Sequence, residues 1–132
     1  MITPEEQILR HRAATCGMLR ELQIGIHRNG YRQLTVLIPC YALDDDQGLT
    51  KELYPFAATY FGSPSWQAVE RAVRSAIEEA WARRRPEVWE AYFPGRDKPP
   101  ANKQFIATLA ERLKNTPPGD GRGERLPRGC VR

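Results

Sequence analysis

The sequence predicts an all-α fold, a small bundle of about six helices containing a helix-turn-helix. Three observations predict it. Apolar residues recur at three-and-four spacing along most of the 132 residues. Capping and stop residues punctuate those stretches where helices would begin and end. The one segment with strand-forming residues has no second strand to pair with, and an isolated strand is not stable.

Taken in order, Thr3-Pro4-Glu5-Glu6 is a helix start. Thr3 can cap, Pro4 suits the first helical position, and Glu6 closes a capping box. Ile8, Thr15, Leu19 and Leu22 then recur at helical spacing, with Gly25 as the expected stop. Residues 26–33 contain Asn29-Gly30, expected to turn. In residues 34–43 (LTVLIPCYAL), Thr35, Val36 and Ile38 favour strand, but the helical neighbours make a buried helix, kinked at Pro39, the better reading. Asp44-Asp45-Asp46 with Gly48 makes a solvated turn.

Thr50 to Phe61 is the next helix, in which Pro55 fits only if the first turn is irregular or Pro55 opens the regular part. Gly62 turns the chain, Ser63 and Pro64 are expected as cap and first residue, and a long helix runs to about Arg84, ended by Pro86. Val88, Trp89, Tyr92 and Phe93 form a short apolar segment closed by Pro94-Gly95. Asn102 is the expected cap of a last helix whose Phe105, Ile106, Leu109 and Leu113 form a stripe. The chain therefore divides into a domain over 1–115 and a disordered basic tail over 116–132, rich in Pro, Gly and Arg.

Composition narrows the function. A chain of this length buries roughly two-thirds of its unfolded surface without disulfides. Its three cysteines, Cys16, Cys40 and Cys130, are odd in number and lack metal or redox spacing, so reduced thiols in a cytoplasmic protein are expected, with Cys130 a weak candidate for a regulatory thiol. The start of the chain is polar rather than a secretory leader, and the apolar stretch 34–43 is far too short to span a membrane. A net charge of +4 and a pI near 9.2 favour a polyanionic partner.

Catalytic chemistry finds no purchase. His11 and His27 have no neighbouring cysteine or acidic pattern suited to metal ligation. Asp44–Asp46 lacks the spacing of a calcium loop, and Gly119-Asp120-Gly121-Arg122-Gly123 lacks the Lys-Ser/Thr of a phosphate loop. No nucleophile, base and orienting group can be assembled. The expectation is no metal, no cofactor and no enzyme.

The long helix carries the functional reading. Val69, Ala72, Val73, Ala76, Ile77, Ala80 and Trp81 make an apolar stripe, while Gln67, Arg71, Arg74, Ser75 and Glu78 occupy the opposite face. Upstream, Ala58 and Gly62 lie four apart, as a helix-turn-helix requires for close helix approach and a left-handed turn. Arg71 and Arg74 sit one turn apart in the half of a recognition helix that meets base edges, where a bidentate arginine on guanine contributes about 1–3 kcal/mol of discrimination. Glu70 either accepts from a cytosine amino group or orients Arg74 at i, i+4. Thr50, Lys51 and Tyr60 are candidates for phosphate contacts. The Arg83-Arg84-Arg85 run reads as a favourable cationic helix end.

At these residues the sequence resembles a known family. LTKELYP, AVERAVRSAIEEAW and KQFIATLAERL are similar to the C-terminal effector domain of the sporulation stage-zero-A response regulators of endospore-forming bacteria. The resemblance begins near Leu19-Arg20-Glu21-Leu22-Gln23-Ile24-Gly25, includes Gly30-Tyr31, and extends to about Leu113. It implies a six-helix all-α domain that binds promoter boxes in double-stranded DNA as tandem copies, and that touches RNA polymerase. By position, Glu70, Arg71 and Arg74 fall on base-reading residues and Lys51 on a backbone-contacting region. Phe105 and Ile106 fall in a helix used for packing and for contacts between neighbouring subunits.

Departures qualify the resemblance. Ala68 stands where the family usually carries a positive residue, and Ser75 where it often has His. Box preference is therefore expected to be relaxed or shifted. The loop before Gly30-Tyr31 is shorter, and Pro39 interrupts a helix that is regular in the family. The family's receiver domain, with its phospho-accepting aspartate, has no counterpart in these residues, so freedom from phosphorylation control, or control by expression level or partners, is expected.

Two functions compete. The first is a sequence-specific DNA-binding transcription regulator. The second is a protein-interaction module that keeps the fold but binds RNA polymerase or a full-length relative, a reading favoured by the missing charge at Ala68. A third and weaker alternative is the DNA-binding part of a mobile-element protein.

Overall fold

The computed structural model of the chain describes residues 2–44, 46 and 48–116. Among them the secondary structure is entirely helical. The elements are α1 (Pro4–Arg10), α2 (Arg12–Glu21), α3 (Asn29–Leu43), a π-helical turn (Leu49–Leu53), α4 (Tyr54–Phe61), α5 (Trp66–Ala82), α6 (Pro86–Tyr92) and α7 (Asn102–Lys114). The expected tail, and with it Cys130, lies outside the described residues apart from Thr116. Cys16 and Cys40 are buried and unbonded, and burial pushes the Cys40 thiol up to about 12.

Helix α3 is the axis of the bundle. It packs against α1, α2, α4, α5 and α7, and Gln33 through Cys40 are buried without interruption. Its apolar residues all round, rather than on one stripe, explain why it reads ambiguously in sequence. Pro39 is accommodated inside it, as expected. The Pro39 carbonyl accepts a hydrogen bond from Gln7 Nε2 at 3.1 Å, which ties α1 to α3.

The first helix differs from expectation. Thr3 and Glu6 form the capping box, but the helix breaks at His11. Thr15 marks the place: its Oγ1 donates to the His11 carbonyl at 2.8 Å beside the bond that its own N–H makes to the same oxygen, and such back-bonding bends helices. Gly25 is not the stop. Helix α2 ends with Gln23 at φ 64, Gln23 N–H donating to the Arg20 carbonyl and Ile24 N–H to that of Leu19. This doubly bonded helix end is normally made with glycine, and here burial of Ile24 secures it.

Asn29-Gly30 is not a turn either, because it opens α3. Gly30 is there for proximity. A β-carbon on it would lie 2.4 Å from the Ala72 carbonyl oxygen, so α3 and α5 cross with almost no side chain between them.

The π-helical turn closes when Glu52 and Leu53 N–H both donate to the Gly48 carbonyl. It places Pro55 in the first turn of α4, where its missing N–H costs nothing. After α4, Gly62 adopts φ 68 and the N–H of Ser63 reaches the Ala58 carbonyl at 2.8 Å. Ser63 is therefore not the cap of α5. Ser65 is, with its hydroxyl accepting from Ala68 N–H, while the Ser63 hydroxyl accepts from Gln33 Nε2.

Helix α6 supplies aromatic mass. Trp89 is buried, stands edge-on to Trp81 at 5.5 Å between ring centres, and donates Nε1–H to the Leu22 carbonyl at 3.2 Å. Phe93 and Phe105 stack beside it. Phe105 and Ile106 are wholly buried, so in this chain they are core and leave any subunit contact to other residues of α7.

Candidate nucleic-acid interface

The candidate interface is built on α5. Val69, Val73, Ala76, Ile77 and Ala80 are buried, which fixes the rotation of the helix about its axis. The opposite ridge, Gln67, Arg71, Arg74, Ser75 and Glu78, is exposed, as the periodicity predicts. Helix α4 and its Gly62 turn hold the start of α5 from one side, and Tyr54 on α4 lies parallel to Trp66 at 6.3 Å between ring centres.

Glu70 sits at the edge of this ridge and has two attachments. Its carboxylate pairs with Arg74 Nη1 at 3.6 Å, with about half of the Arg74 side chain (49 %) and 39 % of Glu70 open to solvent. Its backbone carbonyl accepts from Asn102 Nδ2 at 3.0 Å. The i, i+4 contact with Arg74 that the sequence offers to Glu70 is present as this pair. Arg71 has no carboxylate partner among the described residues.

Thr50, Lys51 and Tyr60 are exposed, but they are not equivalent. Thr50 and Lys51 lie in the π-helical turn beside the Glu70 edge of α5, and together they line a groove of about 750 Å³. Tyr60 lies at the far end of α4, ring against Phe61 and Phe56, and does not line that groove.

Three features escaped the sequence. Asn102 is not a cap but a tie. Ala101 precedes α7, and Asn102 Nδ2 donates to both the Tyr54 hydroxyl and the Glu70 carbonyl, joining α7, α4 and α5 at the groove floor. Burial raises the Tyr54 pKa, so this hydroxyl stays neutral and able to accept.

The second feature is the pair Arg28–Glu79. Arg28 donates Nε to Glu79 Oε1 at 2.8 Å and Nη2 to Oε2, and this contact draws the Glu79 carboxyl below its usual range. It fastens the loop before α3 to α5. A second groove of about 340 Å³ lies there, lined by Arg28, Asn29, Ala68, Arg71 and Ser75. The third feature is the segment 96–104, which forms part of the wall of the larger groove. Nothing local in the sequence brings these distant residues to α5.

Residues 15–113 match the family described as the sporulation initiation factor Spo0A C terminal. The chain belongs to that family. It is a family of sporulation-regulator DNA-binding domains and not of enzymes. Within the matched span lie α3 to α6, most of α2, and α7 up to Leu113. Helix α1 lies before it and is bound to the rest by the Gln7–Pro39 hydrogen bond and by burial of Ile8. No helix among the described residues is long and apolar enough to cross a membrane.

Proposed function

We propose that this chain is a sequence-specific transcription regulator that reads promoter boxes through the major groove of double-stranded DNA. Residues 1–115 act as the DNA-binding unit. Arg71 and Arg74 read base edges, Glu70 orients Arg74, and Gln67 and Ser75 contribute from the same ridge. Thr50 and Lys51 fix the register by holding phosphates. One observation carries the reading: Arg71 and Arg74 stand in solvent on a helix whose other face is buried in the core. Such a ridge fits the major groove, which admits an α-helix and presents acceptors to arginine.

The test is a gel shift on a selected box and on random duplex. Arg71→Ala should weaken the box by about fivefold or more, an effect of about 1–3 kcal/mol, and weaken random duplex far less. Equal losses on both would remove Arg71 from base reading. A second reading is favoured by Ala68, an uncharged residue beside Arg71 in the smaller groove. In it the domain binds RNA polymerase or a full-length relative, and the purified chain would retard neither duplex. Tandem pairing of two copies on DNA belongs to the first reading and would appear as a second, cooperative band.

A further inference from the structure

The larger groove has a basic lip that the reading above does not use. Arg96, Lys98 and Lys103 line it together with Lys51 and Arg74, against the carboxylates of Glu70 and Glu78. Glu70 is already paired with Arg74. Among the described residues none of the three lip cations is paired with a carboxylate, and Arg96 only donates Nε to the Lys98 carbonyl at 3.2 Å. Lys98 and Lys103 are exposed. The groove therefore holds uncompensated positive charge directly beside the recognition ridge.

The lip is also rigid. Pro99 and Pro100 fix φ at two successive residues, Pro100 is buried, and Asn102 anchors the following turn to Tyr54 and Glu70. The backbone that carries these cations is held in place and loses little conformational entropy on binding. The segment is thus fastened at its C-terminal end, beside the recognition ridge.

We infer that residues 96–103 form a phosphate-holding lip, so that the DNA backbone runs along the groove between the π-helical turn and this segment. Arg96, Lys98 and Lys103 neutralise phosphates and carry no base information. The inference rests on the DNA-binding reading and extends it to a segment far from the helix-turn-helix in the chain.

The experiment measures the affinity of the full chain and of the triple variant Arg96→Ala, Lys98→Ala, Lys103→Ala for the box and for random duplex across a salt series. Each phosphate contact contributes roughly 0.9 to the slope of log affinity against log salt, so the triple variant should bind with a slope shallower by about two to three. Its affinity should fall about tenfold or more on both duplexes, with the box-to-random ratio unchanged. Unchanged slope and affinity in the variant, with a wild-type chain that binds, would overturn the lip alone. A wild-type chain that binds neither duplex would overturn the DNA reading and the lip with it. If the triple variant fails to fold, Lys98→Ala, at an exposed side chain, should still lower the slope by about one, and no change would count against the proposal.

Discussion

Gly30 and Ala72 meet backbone to backbone: a β-carbon on Gly30 would lie 2.4 Å from the Ala72 carbonyl oxygen, and 2.7 Å from the Ala76 methyl. This is where the central helix touches the helix that carries the arginine ridge. Alanine at this position would gain up to about 1 kcal/mol of helix propensity over glycine. The clash is with a backbone atom, which cannot move aside cheaply, and overpacking of this kind costs roughly 1–3 kcal/mol. Gly30→Ala should therefore destabilise the domain on balance, with a lower urea midpoint by tryptophan fluorescence. An unchanged or higher midpoint would mean that α3 and α5 do not cross so closely.

His11 should make stability depend on pH near neutrality. Burial and the neighbouring Arg10 push its pKa below the usual 6.5, and its Nδ1 is buried without a hydrogen-bond partner. The unfolded chain then takes up a proton near 6.5 more readily than the folded one. The stability is complete above 6.5 and is lost as pH falls from there through the lower folded value. The urea midpoint should be lower at about pH 5.5 than at about pH 7.5, and His11→Gln should remove much of that difference. The Glu79 carboxyl, held down by Arg28, loses its contribution only at more acid pH, below its ordinary 4.5, and does not confuse the comparison.

Much of this was legible in the sequence, and the parts that were not share a cause. The buried and exposed faces of α5 follow from periodicity alone, because a helix has only one way to bury Val69, Val73 and Ile77 together. The Thr3 capping box and the place of Pro55 follow from rules that act within four residues. What failed were local signals overruled by distant partners. Asn29-Gly30 looks like a turn, but its glycine answers to Ala72. Ser63 looks like a cap, but its N–H is spent on Ala58 and its hydroxyl on Gln33, which leaves Ser65 to cap. Asn102 looks like a cap and instead serves Tyr54 and Glu70. The arginine ridge could be named in advance. The groove beside it could not, since its wall at 96–104 is set by tertiary packing.

Glu70 offers a way to separate orientation from stability. The Glu70–Arg74 pair spans 3.6 Å with both side chains substantially exposed, and pairs of this kind contribute about 0.3–0.5 kcal/mol to folding. Glu70→Gln should thus leave the urea midpoint nearly unchanged. Its effect on binding has two opposed parts. Removing a carboxylate from a surface facing phosphates raises affinity for any duplex, while freeing Arg74 from its anchor raises the entropy cost of a bidentate contact. Random duplex feels only the first part, so the variant should bind it more tightly than the wild type does. The selected box feels both, so the ratio of box to random affinity should shrink. A variant that gains equally on the two duplexes would show that Arg74 needs no guidance from Glu70. Loss on the box alone, with random duplex untouched, would instead point to Glu70 as a base contact in its own right.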